Sequence, residues 1–210
     1  NQRSDGVYLE TMDISPAFVD TGSTYLTHLD RKINNSTTGV SSSFNSGTNQ
    51  TTITIPYTIK NTMKIVGKSG GSNTAGQSLT TVSQSGTSIV VSGDITSNLY
   101  FIGEQYTFTF VFSQQFMQIA DTQGSRISVK EGRLQIRNWN VSYNDTSYFT
   151  TLVTPTGRSS SATTFTGTTT GTGLLGTVNL EDGDYTFAVQ SENDKLTVTL
   201  ENDSHFPSNF

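Results

Sequence analysis

No cysteine occurs in the 210 residues. Disulfides, thiolate metal sites and cysteine nucleophiles are thereby excluded, and cysteine usage says little about compartment. Charge is also scarce. Asp, Glu, Lys and Arg make up 14% of the chain, against about a quarter in ordinary domains. Histidine is limited to His28 and His205, which lie far apart in sequence. Neither stands in a Ser/His/Asp spacing, and no nucleophile elbow is present, so no set of catalytic roles can be assigned. The sequence predicts no enzyme and no cofactor. A glycosidase would need two convergent carboxylates, and the carboxylates here gather at turns. Long apolar runs are missing; the longest is about four residues, Leu99–Ile102, where a membrane helix needs about 20. No signal peptide is visible, and no membrane segment is expected. The chain opens on Asn1, and we expect a piece of a longer protein.

Hydroxyl side chains fill the space. There are 36 Thr and 27 Ser. A net charge of −5 and 21 aromatic residues argue against disorder, which combines low hydrophobicity with high net charge. Nowhere do ten residues show a 3.6-residue apolar period, so helices should be few. The expectation is an all-β protein of antiparallel sheets, a β-sandwich or two fused β lobes. The lobes would cover residues 1–113 and 114–210, with a boundary near Ser113 to Gly124.

Taken in order, Val7 to Ile14 and Thr24 to Ile33 read as strands separated by Pro16, Asp20 and Gly22. Asn34 to Gln50 reads as a long polar loop. Thr52 to Ile59 alternates apolar and polar, with Pro56 marking an edge strand or the start of one. Met63 to Val66 and Ser88 to Val91 are short strands around a Gly/Ser loop, Gly67 to Gln77. Tyr106 to Phe112 is the clearest strand, with Tyr106, Phe108, Phe110 and Phe112 on one face. Pro155 to Gly173 is low-complexity Ser/Thr/Gly and reads as a mobile loop.

Residues 126–149 hold the only tryptophan, Trp139, and the densest β-type composition. Leu134 and Ile136 are apolar at even positions; Trp139, Val141 and Tyr143 are apolar at odd ones. Alternation along a strand breaks between Arg137 and Asn138, which predicts a β-bulge or a change of sheet, with Trp139 buried. The final segment reads as a meander. Asp182-Gly183 would form a two-residue turn that sets Leu180 opposite Tyr185 and Val178 opposite Phe187. A second turn near Glu192-Asn193 would set Leu196, Val198 and Leu200 opposite Val189, Phe187 and Tyr185.

That register would gather Glu181, Asp182, Asp184, Glu201 and Asp203 at one end. Five carboxylates suit Ca²⁺ in principle, yet no EF-hand spacing is present, and solvated hairpin ends or a basic patch on a neighbouring subunit explain them as well. Arg126, Lys130, Arg133 and Arg137 against Glu131 give a local charge of +3 within a chain of net −5. Nucleic-acid grip calls for a larger basic face, so pairing across a subunit boundary is the expected use. Trp139, Tyr143 and Tyr148 would serve either as core or as a sugar-stacking surface of a carbohydrate-binding or adhesin module. Six Asn-x-Ser/Thr sequons, at Asn34, Asn35, Asn49, Asn140, Asn144 and Asn202, match the roughly four or five that chance supplies at this composition.

Several motifs in order carry a resemblance. Gly132-Arg133-Leu134-Gln135-Ile136-Arg137 followed by Trp139 and Tyr143 is the densest. Val7-Tyr8-Leu9-Glu10, Tyr25-Leu26 with Leu29-Asp30-Arg31-Lys32-Ile33, Tyr106-Thr107-Phe108 with Phe112-Ser113, Gly183 to Val189, and Asn202-Asp203-Ser204 with Pro207 accompany it. Together they resemble the tail tubular protein B family, the tail nozzle of short-tailed bacteriophages. Ala188 stands where the family has proline, and the family's closing Trp-Glu-Gly segment is not reached. The resemblance implies a structural virion protein of the phage tail, here the C-terminal part. It implies hexameric assembly below a ring of tail adaptor subunits, docking of tail fibres, and a conduit through which genomic DNA passes without specific binding. It also leads us to expect a loosely held region after Leu200.

Overall fold

Two apolar clusters, not one, organise the chain. The computed structural model describes residues 2–3, 6–7, 23–129, 133–167 and 177–210, and every element in them is a strand. The strands are β1 (Gln2–Arg3), β2 (Gly6–Val7), β3 (Asp30–Asn34), β4 (Ser41–Asn45), β5 (Gln50–Thr54), β6 (Met63–Gly67), β7 (Thr81–Ser85), β8 (Ser88–Ser92) and β9 (Tyr100–Glu104). They continue with β10 (Phe108–Val111), β11 (Met117–Ala120), β12 (Arg126–Val129), β13 (Gln135–Thr146), β14 (Tyr148–Pro155), β15 (Ser161–Thr166), β16 (Glu181–Glu192) and β17 (Leu196–Asn202). All pairings between them are antiparallel. The fold is all-β and sandwich-like. No helix among the described residues is long and apolar enough to cross a membrane.

The first core lies between the sheets β4-β5-β8-β7 and β3-β9-β6. Alternation places Ile53, Ile89 and Val91 on the inner face of one sheet, and Met63, Ile65, Tyr100 and Ile102 on the inner face of the other. Their Thr and Ser neighbours face outward, which explains the hydroxyl-rich composition: an antiparallel sheet with one wet face alternates apolar and polar side chains. The second core lies between β10-β17-β14-β15 and the β13-β16 pair. Phe149, Val153, Val198 and Leu200 meet Val141, Phe187 and Val189 there.

A third cluster joins the halves. Sheet β3-β9-β6 is covered on its outer face too, so all five residues of β9 are buried. Tyr25, Leu29, Val66, Ala75 and Phe101 form this cluster, and Val178 and Leu180 from the second half pack on it. β10, which precedes the second half in sequence, pairs with β17 and so belongs to the second core.

Several sequence expectations are corrected. The strand expected over Thr24 to Ile33 begins only at Asp30, because Tyr25 to Leu29 is held by side-chain packing and not by a ladder. Of the strand expected over Val7 to Ile14, only Val7 lies within the described residues. Asn34 to Gln50 is not one loop, for Ser41–Asn45 pairs with β5. The strand expected over Thr52 to Ile59 stops at Thr54, before Pro56, and it is interior to its sheet, between β4 and β8. The Pro155 to Gly173 stretch contains β15, paired to β14; its residues from 168 onward lie outside the described residues.

The meander does not form. Asp182-Gly183 lies inside the 12-residue β16, which pairs with β13. Val178 and Leu180 are in the third cluster, away from Phe187. The Glu192-Asn193 turn exists, but β16 and β17 belong to different sheets. Their apolar residues therefore meet across the sandwich rather than side by side. The segment after Leu200 is fastened, not loose: His205 is buried, and the Pro207 carbonyl accepts from Ser147 N at 2.9 Å.

Candidate functional site

β13 carries most of the motif singled out in the sequence. Its register against β16 slips between Ile136↔Ser191 and Asn138↔Ala188. Two steps along β13 there match three along β16, so the additional residue is on the partner. Gln190 takes it up in left-handed backbone, φ 50°. The slip is where the parity break predicted. Arg137 and Asn138 both face solvent, while Ile136 and Trp139 both face inward. A second slip between Tyr143 and Thr146 turns at Asp145, φ 46°, whose N–H donates to Asp182 Oδ1 at 2.7 Å.

The motif's side chains are mostly structural. Leu134 exchanges two bonds with Asn193, one through the backbone and one through the Asn193 side chain. Trp139, expected to be buried, is half-buried, packed on the second core and against Phe112, ring centroids 5.1 Å apart. Tyr143 packs against both Phe149 and Phe165 and lies over Gly183, whose added Cβ would meet Tyr143 Oη at 3.2 Å. That contact explains the glycine that resembles a hairpin turn. Gly132 lies outside the described residues, as do Lys130 and Glu131. Arg133 reaches Glu192 at 3.7 Å, with Lys195 on the same carboxylate at 2.7 Å. Gln135 and Arg137 are exposed beside it.

The five carboxylates separate into two groups. Asp184 accepts from Ser142 Oγ at 2.6 Å. Burial first, and then the charges of Glu181, Asp184 and Asp182, raise the Tyr143 phenol above its ordinary pKa. Asp203 lies instead near Lys64, and Glu201 sits on β17 between Thr109 and Thr150. No cluster of three or more acidic or histidine side chains able to hold a metal forms among the described residues.

Two other sites emerge that sequence reasoning missed. The first is the junction between the halves. His28 N donates to the His205 carbonyl at 2.9 Å, so the two histidines are neighbours in space. Asn202, fully buried, places its amide against His28 Nδ1 at 3.2 Å, the Phe206 carbonyl at 2.9 Å and Ser208 Oγ at 2.9 Å. His205 Nε2 meets the Gly76 carbonyl at 2.7 Å, and Tyr25 Oη accepts from Gly76 N at 3.1 Å while donating to the Gly67 carbonyl. Nearby, buried Glu104 is paired with Arg31 at 3.0 Å and accepts from Asn61. Arg31 stacks on Tyr57, whose phenol burial pushes up to about 12. The segments around Tyr25, Gly76 and Asn202, distant in sequence, therefore meet in one place.

The second is a groove of about 580 Å³ beside β10. Val141 and Leu200 floor it, and Phe108, Phe110 and Phe210 stand at its mouth, between 37% and 49% exposed. The strand expected over Tyr106 to Phe112 spans only Phe108–Val111, and of its expected aromatic face Tyr106, Phe108 and Phe110 are turned to solvent while Phe112 packs on the second core.

A family model described as bacteriophage nozzle protein matches residues 1–210, the whole chain. No curated protein matches it.

Proposed function

Because the chain belongs to the bacteriophage nozzle protein family, we propose that it is a wall segment of the tail nozzle of a short-tailed phage. The whole-length family match carries this reading and makes the protein a structural component of the virion tail. In this reading copies assemble as a hexameric ring below the tail adaptor, offer docking ground to tail fibres, and enclose the channel through which DNA is ejected. We place the division between its two lobes close to β10, since that strand pairs into the second core. A carbohydrate-binding role is less well supported: Trp139 and Tyr143 pack on the second core and do not form an open stacking platform.

The physical properties suit a conduit. The outward positions of its sheets are rich in Thr and Ser, and charge is sparse, with a net of −5. Such a surface wets a passing polyanion without holding it. Gold-labelled antibody against this chain should decorate the tail of intact virions. Label on the capsid, or only on unassembled protein, would contradict the assignment.

A further inference from the structure

The β11–β12 hairpin is an amphipathic element whose apolar face is largely uncovered among the described residues. Its register pairs Met117 with Val129 and Ile119 with Ile127. Side chains two apart share a face, so these four lie together, while Gln118, Ala120, Ser128 and Arg126 take the other side. Met117, Ile119 and Ile127 are 45–55% exposed. An isolated two-stranded hairpin is marginal in water unless its apolar face packs on something. Asp121 only organises the tip, accepting from Gln123 N and Ser125 N.

The same chain carries a matching receptor. β10 is the outer strand of its sheet and, among the described residues, pairs with β17 alone. An uncovered edge of this kind invites another strand. Beside it lies the 580 Å³ groove, whose mouth is Phe108, Phe110 and Phe210 and whose polar wall is Asn140, Ser142, Ser208 and Asn209. Among the described residues no charged side chain lines the groove, and the hairpin's apolar face carries none either, so closing these residues on one another desolvates no ion. The hairpin does not fill its own groove. Its root is held at the Val111 end of β10, where Phe112 N donates to the Val198 carbonyl and Asn193 Nδ2 donates to the Gln115 carbonyl at 2.7 Å.

We propose that the β11–β12 hairpin of one copy docks in the β10 groove of a second copy, edge against edge, in a head-to-tail contact. Different surfaces meet in such a contact, so it propagates from copy to copy and closes into a ring when the rotation allows. The proposal deepens the wall-segment reading and rests on it for a ring rather than a filament.

The chain lacks cysteine, which makes the test clean. Ile119→Cys and Phe110→Cys, both at exposed positions, are prepared separately and oxidised alone and mixed. The mixture should yield a disulfide-linked dimer at several times the level of either variant alone. Ile119→Asp with Ile127→Asp should abolish that capture and any concentration-dependent sedimentation while leaving the melting temperature unchanged, since neither side chain is in a core. Equal yields in all samples, a dimer from Ile119→Cys alone at the level of the mixture, association undiminished by the Asp pair, or occupation of the groove by an adaptor or fibre protein would overturn the contact. Virion labelling separates the two claims. Labelled tails without the mixed disulfide leave the wall reading standing and remove this contact; a mixed disulfide without labelled tails does the reverse.

Discussion

Gly76 and the two histidines bear the join between the halves, and each makes a measurable claim. Gly76 adopts φ +76°, and an added Cβ would lie 2.5 Å from Val178 Cγ2 and 2.8 Å from Phe206 Cε1. Gly76→Ala therefore adds backbone strain and overpacking together, and should cost roughly 2–4 kcal/mol in denaturant unfolding. A loss below about 0.5 kcal/mol would mean that the contact between halves is not tight. Burial lowers the pKa of both His28 and His205 below the ordinary 6.5; for His205 the Gly76 hydrogen bond opposes this and Lys64 adds to it. The geometry agrees, because His28 Nδ1 faces the Asn202 amide nitrogen, which can only donate and so disfavours a proton on Nδ1. A histidine kept neutral in the fold takes up its proton more readily when unfolded, so it stabilises fully above pH 6.5 and this contribution is lost as pH falls through that value. The melting temperature should fall between pH 7.5 and pH 5, and His28→Gln with His205→Gln should flatten that slope. An unchanged slope in the double variant would assign the pH dependence elsewhere.

Among the elements, apolar alternation was readable and polar alternation was not. β6, β8 and the slip in β13 announce themselves because inward side chains are large and apolar. β4, β7 and β15 do not, since Ser-Ser-Ser-Phe-Asn, Thr-Val-Ser-Gln-Ser and Ser-Ala-Thr-Thr-Phe-Thr are nearly uniform in polarity. These three are the outer strands or sheet partners of apolar neighbours, and backbone pairing to those neighbours holds them. The glycine in Ser85-Gly86-Thr87, at φ +60°, was the one available signal for the β7–β8 turn. Asp182-Gly183 misled because a glycine under a tyrosine ring and a glycine in a turn look alike in one sequence. The corrected burial also sets the expected effect at Trp139. A ring that is half-buried against Phe112 and the second core should cost about 2–3 kcal/mol on Trp139→Ala, less than the about 3–5 of an enclosed one. Chemical denaturation followed by tyrosine fluorescence measures it, and a change within about 0.5 kcal/mol would mean that Trp139 adds nothing to that core.

At the scale of the molecule, charge decides how the protein treats DNA. Twelve basic residues face 17 acidic ones, and of the basic cluster Arg133 is already near Glu192. The three or four phosphate contacts this offers leave duplex binding weaker than about 10⁻⁶ M near 0.15 M salt. A fluorescence titration that found tighter binding, weakening steeply with added salt, would replace a passive wall with a gripping one. The most direct test of the wall assignment is a cryo-electron microscopy reconstruction of the intact virion tail. The account predicts that the two-cored unit, with its β11–β12 hairpin, fits density repeated around the axis of the nozzle below the adaptor ring; density in the nozzle that excludes this fold, with the unit found instead in capsid or fibre, would contradict it.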